Sequence, residues 1–184
     1  MTKWDEKFRA GYSGNGVPEP ALVRAIQDQQ PGHALDLACG LGRNAIHLAS
    51  QGWRVTALDS SQVAINSLPG GIDACLTDLE APDFQIPPDS YDLICDCYYL
   101  HRPLFPQIRG GLRKGGLFVG VIPMIDNGPA LHPMDPAYLC SPGELEALFA
   151  DWEILHTYEG KPSGDGTRRH VAELVARKPS SGNS

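Results

Sequence analysis

The sequence predicts an α/β fold: a doubly wound, mostly parallel sheet with helices on both faces and an antiparallel hairpin strand at its C-terminal edge. Three observations predict it. Short strand-like apolar runs alternate with helix-like segments from His33 onward, which implies right-handed βαβ units and a sheet covered on both sides. The run Leu117 to Ile122 is apolar apart from Gly120, as a central strand must be. Two last strand-like runs, Trp152 to Tyr158 and His170 to Ala176, are separated by a Gly/Pro/Ser-rich stretch at 160–167. That link is too short for a crossover helix, so the pair is antiparallel.

Each element follows from its residues. Trp4 to Tyr12 is a short helix, closed by the loop Gly11-Tyr12-Ser13-Gly14-Asn15-Gly16, since glycine is unfavourable inside helices. Pro20 to Gln29 has Leu22, Val23 and Ile26 on one side, and Pro31-Gly32 ends it. His33 to Leu37 is a strand, Asn44 to Gln51 a helix stopped by Gly52, and Arg54 to Leu58 a strand. Val63 to Leu68 is a helical stub broken by Pro69-Gly70-Gly71. Ala74 to Leu76 and Tyr91 to Cys97 are strands, and Leu104 to Leu112 a helix. A glycine turn at Gly115-Gly116 leads into the strand at Leu117. Ser141 is a helix N-cap with Pro142 in the first position and Glu144 three residues on. One domain is expected over residues 1–178, with a helical lid segment at 1–30, a core at 33–178 and a flexible tail at 179–184.

The 184 residues suffice to bury about 70% of the unfolded surface. Fifteen basic against 22 acidic side chains leave a net charge of −7. That argues against a nucleic-acid partner, which wants clustered cations. No apolar run approaches the roughly 20 residues of a bilayer span, and the first residues lack a signal peptide's order. A cytoplasmic protein with no membrane partner is expected, as a monomer or weak homodimer. The five cysteines are odd in number and form no CxxC pair. Reduced thiols and no metal site follow.

The chemistry concentrates where strands end. In Leu35-Asp36-Leu37-Ala38-Cys39-Gly40-Leu41-Gly42-Arg43-Asn44, small residues and two glycines let the backbone approach a ligand beyond the strand tips. An ordinary tight turn and a dinucleotide GxGxxA turn are the competing readings. Asp36 lies within a strand, where a buried carboxylate must either anchor the glycine turn or face the ligand. Asp59, followed by Ser60, ends the second strand 17 residues after Gly42. It can accept both hydroxyls of a ribose or be a plain strand-end aspartate. Asp78 can accept from an adenine amino group with Leu79 against the ring, or simply cap a turn.

The ordered set Asp36-x-Ala38-x-Gly40-x-Gly42, Asp59, Asp78-Leu79, Tyr91-Asp92-Leu93-Ile94 and Leu112-x-x-Gly115-Gly116 resembles Rossmann-fold S-adenosylmethionine-dependent methyltransferases. Within them the chain is most similar to small tellurite-resistance-type enzymes. These carry a similar Leu-Asp-Leu-Ala-Cys-Gly-x-Gly-Arg-Asn stretch and a Tyr-Leu-x-x-Pro-Gly-Glu-Leu segment, as at Tyr138 to Leu145. The resemblance implies a seven-stranded sheet with its last strand inserted antiparallel. It implies S-adenosylmethionine as cofactor, S-adenosylhomocysteine as product, and a cofactor site of Asp36, Ala38, Cys39, Gly40, Gly42, Asn44, Asp59, Ser60, Asp78, Leu79, Cys97 and Tyr12. One departure stands out. Only 18 residues separate Asp59 from Asp78, so the second helix must be short and that flank of the sheet thinly covered.

Methyl transfer from a sulfonium is a direct displacement that asks mainly for alignment. Tyr98, His101 and Arg102, after the fourth strand, are the catalytic candidates. His101 could deprotonate an acceptor and Arg102 hold an anion, or the segment merely begins the next helix. Trp4–Asn15 and Pro123–Ser141, with Asp126, His132, Asp135 and Tyr138, are candidate lids. The expected acceptor is small: a thiol, a metalloid oxyanion, or an organic hydroxyl or acid. A convergence of Cys39, Cys95, Cys97 and Cys140 is the pattern that arsenite would need. An NAD(P)-dependent reductase and a non-catalytic nucleoside-binding module are the alternatives.

Overall fold

The structure, a computed structural model, describes residues 2–12, 16–125, 134–162 and 169–180. Asp126, His132 and the tail from residue 181 lie outside the described residues. The elements are α1 (Lys3–Arg9), α2 (Pro20–Ile26), β1 (His33–Leu37), α3 (Arg43–Ser50), β2 (Arg54–Asp59), α4 (Gln62–Ser67), β3 (Asp73–Leu76), β4 (Tyr91–Cys97), α5 (Leu104–Gly111), β5 (Leu112–Pro123), α6 (Glu144–Ala147), β6 (Glu153–Gly160) and β7 (Val171–Arg177). A 3-10 turn spans Pro136–Tyr138.

The strands form one seven-stranded sheet in the order β3-β2-β1-β4-β5-β7-β6. β1 through β5 are parallel, and β7 is antiparallel to both of its neighbours. Direction of winding reverses between β1 and β4, and in such sheets ligands bind outside the strands' carboxyl ends at that point. Alternate strand residues feed two cores. Leu35, Leu37, Ile94, Phe118 and Ile122 pack with Leu104, Phe105, Ile108, Leu145 and Phe149 on one face. Ala34, Val55, Leu93, Cys95 and Val119 pack with Leu22, Ile26, Ala45 and Leu48 on the other.

The short linker between Asp59 and Asp78 has the expected result. α4 is six residues long, and β3 lies at the sheet's edge with Leu76 53% exposed.

Two elements differ from the sequence reading. β5 begins at Leu112, five residues early, and the Gly115-Gly116 turn is a kink inside it. Gly115 has φ +78, and a Cβ on Gly116 would lie 2.9 Å from the Arg113 carbonyl. The pairing of β4 with β5 shifts register there, between Tyr91 and Leu93. Ser141 is not a helix cap. α6 starts at Glu144 from Gly143 in a left-handed conformation. Glu144 accepts from the Ser141 backbone N–H at 2.9 Å, the local half of the expected capping box, while also gripping Arg102.

Candidate functional site

The turn after β1 is built from left-handed residues. Ala38, Gly40 and Gly42 have φ of 50, 53 and 81, and Ala38 holds that conformation despite its Cβ. The turn is tied down at three points. The Cys39 N–H donates to the Leu58 carbonyl at 2.9 Å and the Gly42 N–H to the Cys39 carbonyl at 3.0 Å. The Gly40 N–H donates to Oδ2 of Asp59 at 2.8 Å. Oδ1 of Asp59 accepts from the Ser61 N–H, also at 2.8 Å. Asp59 is thus buried at the tip of β2, its carboxylate joining two strand-end loops. Burial raises its pKa above the usual carboxylate value. Each oxygen carries one of these bonds and keeps acceptor capacity for another.

Asp36 anchors the turn rather than facing the crevice. Oδ2 accepts from the Ala45 N–H at 3.1 Å and Oδ1 from the Cys95 thiol at 3.2 Å. It supplies from a distance the cap that Gly42, the N-cap of α3, has no side chain to give. Desolvation pushes its pKa from 3.8 up to about 7. Between those values the folded state binds a proton that the unfolded chain has released, so this group's contribution to stability falls as pH rises through the window. The slope is at most about 1.4 kcal/mol per pH unit. Asp36→Asn cannot ionise and is expected to escape that loss. Urea midpoints of variant and parent should diverge in the variant's favour from about pH 4 to about pH 7 and then level. A gap independent of pH would show that Asp36 is ionised in the fold throughout.

Asn44 turns inward, its Oδ1 accepting from the Glu19 N–H at 2.9 Å. Glu19 pairs with Arg43 at 2.9 Å, and the Arg43 guanidinium lies 5.3 Å from the Tyr98 ring centre. These contacts bind α2, the glycine turn and the β4 loop into one frame. Asn44 belongs to that frame rather than to the crevice wall.

An open crevice of about 450 Å³ lies at the tips of β2 and β3, lined by Thr2, Ser60, Leu76, Thr77 and Asp78. Ser60 and Asp78 are foreseen from sequence; Thr2, Leu76 and Thr77 are not. Asp78 commits Oδ1 to the Glu80 N–H at 3.0 Å, an aspartate turn that presents the side chain at the rim. Leu79 is 6% exposed and packs in the core, so this segment offers Thr77 and Asp78 to the crevice. Tyr12 is exposed at the end of α1, in a ring cluster with Trp4 and Phe8.

Beyond β4, Tyr98 has φ 65, and its N–H donates to the Val121 carbonyl at 2.7 Å. A non-glycine residue in that region stores strain and turns the chain sharply after Cys97. The Tyr99 hydroxyl donates to Glu80 at 3.2 Å, and burial lifts its pKa. The His101 carbonyl accepts from the Leu104 N–H at 2.9 Å, which opens α5. Arg102 is a strut. It grips Glu144 at 2.6 and 3.0 Å and donates to the carbonyls of Ala137 and Leu139 at 2.8 and 3.1 Å. With its guanidinium so used, it orders residues 137–144 and is not poised to hold an anion. Burial raises the thiols of Cys39, Cys95 and Cys97, and no His/Cys/Asp/Glu cluster fit for a metal occurs among the described residues.

Residues 8–163 match the family described as tellurite resistance protein TehB. The chain is 27% identical over 198 residues to a probable S-adenosyl-L-methionine-dependent methyltransferase, TehB, of Haemophilus influenzae, covering 96% of this chain and 67% of that one. The crystal structure of TehB from Haemophilus influenzae superposes with a TM-score of 0.76 at 25% identity, covering 95% of this chain and 67% of that one. An S-adenosylmethionine-dependent methyltransferase from Mesorhizobium loti shares the fold, with a TM-score of 0.69 at 21% identity over 86% of this chain and 96% of that one. The chain spans about two thirds of the length of the TehB relatives it matches.

Proposed function

We propose, since this chain belongs to the tellurite resistance protein TehB family, that it moves the methyl group of S-adenosylmethionine onto a small acceptor. The observation that carries the reading is the pairing of the bare Gly40 backbone with the carboxylate of Asp59, beside a crevice edged by hydroxyls and Asp78. A methyl group added at Gly40 would make ordinary contact with the Phe8 ring at 3.6 Å, so it is the φ of +53, and not crowding, that favours glycine in this turn. These residues fit an adenosyl group: Asp59 toward the ribose hydroxyls, Ser60, Thr77 and Asp78 around the base, and the turn from Ala38 to Gly42 along the amino-acid end. Bound there, S-adenosylmethionine supplies a methyl carbon already activated by its sulfonium leaving group.

The protein's own part is alignment. Fixing acceptor and methyl carbon in line can be worth roughly 7–11 kcal/mol, and the strained turn at Tyr98 sets the path of the chain over the tip of β4. His101, three residues beyond Tyr98, is the proposed base for an acidic acceptor. A small acceptor is supported by what flanks this end of the sheet. Among the described residues, a 3-10 turn and the four-residue α6 lie between β5 and β6, and neither is a surface broad enough to seat a polymer. The family's description points to metalloid oxyanions, with thiols and small organic hydroxyls or acids as the other candidates.

Calorimetry with S-adenosylhomocysteine is the first test, with micromolar binding expected, about −8 kcal/mol. NADH titrated in parallel should show no change in nicotinamide fluorescence. Heat with NADH and none with S-adenosylhomocysteine would overturn the reading in favour of a reductase, for which the antiparallel β7 leaves no second βαβαβ half. S-adenosylhomocysteine release with a panel of oxyanions, thiols and hydroxy acids then identifies the acceptor. With that acceptor in hand, His101→Gln is expected to lower turnover by about 10²-fold or more. Unchanged turnover removes His101 from the mechanism, and cofactor binding without any turnover would mark a binding module.

A further inference from the structure

The interior of this molecule holds a chain of polar bonds that begins outside the glycine motif, on helix α1. Asp5 is 5% exposed. Its Oδ1 accepts from the Ser61 hydroxyl at 2.6 Å and from the Val63 N–H at 3.2 Å, and its Oδ2 from the Thr2 N–H at 2.9 Å. Ser61 is fully buried. Its hydroxyl accepts from the Ala64 N–H at 3.2 Å, so its single hydrogen is the one given to Asp5. The Ser61 N–H in turn donates to Asp59, whose other oxygen holds Gly40. The bonds therefore run unbroken from α1 to the glycine turn: Asp5, Ser61, Asp59, Gly40.

We propose that Asp5 is a positioning residue of the adenosine site: acting through Ser61 it fixes the carboxylate of Asp59. The inference rests on the reading above that Asp59 receives the ribose. Two further features agree with it. Thr2, held by Asp5, lines the crevice together with Ser60, Thr77 and Asp78. Phe8, one turn beyond Asp5, sits over Gly40. α4 has six residues and cannot stand alone. The first-turn donors Val63 and Ala64 are satisfied by Asp5 and Ser61, so the piece of chain that orients Asp59 depends on a contact from α1. The Ser61 bond also holds the Asp5 carboxyl well below the usual range, so the latch stays ionised across physiological pH.

The experiment is calorimetry of S-adenosylhomocysteine with Asp5→Ala, Ser61→Ala, Asp59→Ala and the Asp5→Ala/Asp59→Ala double variant, each checked for folding by its melting curve. Asp5→Ala is expected to raise Kd about tenfold, and Ser61→Ala, which spares the Thr2 and Val63 contacts of Asp5, about fivefold. The double variant should bind no more weakly than Asp59→Ala, because both act on one carboxylate. A purely structural Asp5 gives a different pattern: a lower melting temperature with Kd unchanged, or losses that add in the double variant, and either overturns the proposal. If Asp5→Ala does not fold, an unchanged Kd in Ser61→Ala overturns it equally. An unchanged Kd in Asp59→Ala sinks the ribose reading and this inference with it, whereas a weakened Asp59→Ala beside unaffected Asp5 and Ser61 variants sinks the inference alone.

Discussion

Asp59→Ala is expected to weaken S-adenosylhomocysteine binding by about 10- to 100-fold, the loss of roughly 1.5–3 kcal/mol that follows from removing hydrogen bonds to a charged group. Two effects combine. The ribose hydroxyls lose their acceptors, and the Gly40 and Ser61 N–H groups lose theirs, so the glycine turn and the start of α4 are released together. Asp59→Asn separates the effects. The amide keeps the shape and one acceptor, but turns an NH2 toward either the Gly40 or the Ser61 N–H. It should therefore bind nearly as poorly as alanine while melting closer to the parent. Calorimetry and a melting curve on the three proteins check this; parental affinity in Asp59→Ala removes the ribose assignment.

Phe149→Ala is expected to cost about 3–5 kcal/mol of stability, a fall in Tm of roughly 10 °C for a chain of this size. Phe149 is fully buried. Its ring stacks on Phe118 at 4.4 Å between centroids and meets Trp152 edge-on at 5.0 Å and Phe105 at 6.1 Å. Arg109 covers both Phe149 and Trp152, at 5.6 and 5.0 Å. Truncation leaves a cavity that three rigid rings cannot close. The cluster centres on β5, four strands along the sheet from the crevice edge at β3. Affinity for S-adenosylhomocysteine at a temperature where the variant is folded should thus stay within about twofold of the parent, since well-separated sites act independently. A Tm within a degree of the parent would show that the rings do not pack as described.

What could be read in advance follows from the range of the forces involved. The strands declare themselves because a parallel sheet buried on both faces needs continuous apolar runs, such as Leu93-Ile94-Cys95 and Leu117-Phe118-Val119. Asp36 and Asp59 stand out because burying a carboxylate in such a sheet is costly unless it is bonded. What escaped was decided by contacts distant in sequence. Ser141 carries every local mark of a helix cap, yet α6 starts only at Glu144, whose carboxylate is also held by Arg102 from 42 residues away. Gly115-Gly116 looks like a turn, and only the alignment of β5 against Tyr91 and Leu93 shows it to be a kink within a strand. Arg102 looks free to bind an anion because its partners lie 35 and more residues away. The Asp5 link is half legible. Thr2 and Asp5 have the spacing of a capping box, but nothing local says that the same carboxylate also reaches Ser61.

The placement of β7 bears on how the chain can be made. As the last strand in sequence it lies between β5 and β6 and pairs with both. During synthesis the first five strands can assemble in turn, but β6 emerges with nowhere to dock until Val171–Arg177 follow it. A nascent chain halted before Val171 exposes the flank of β5, which carries Phe118 and Ile122, as an open template for association. Emergence of Val171–Arg177, and not of the glycine motif, is then the moment at which this sheet can close.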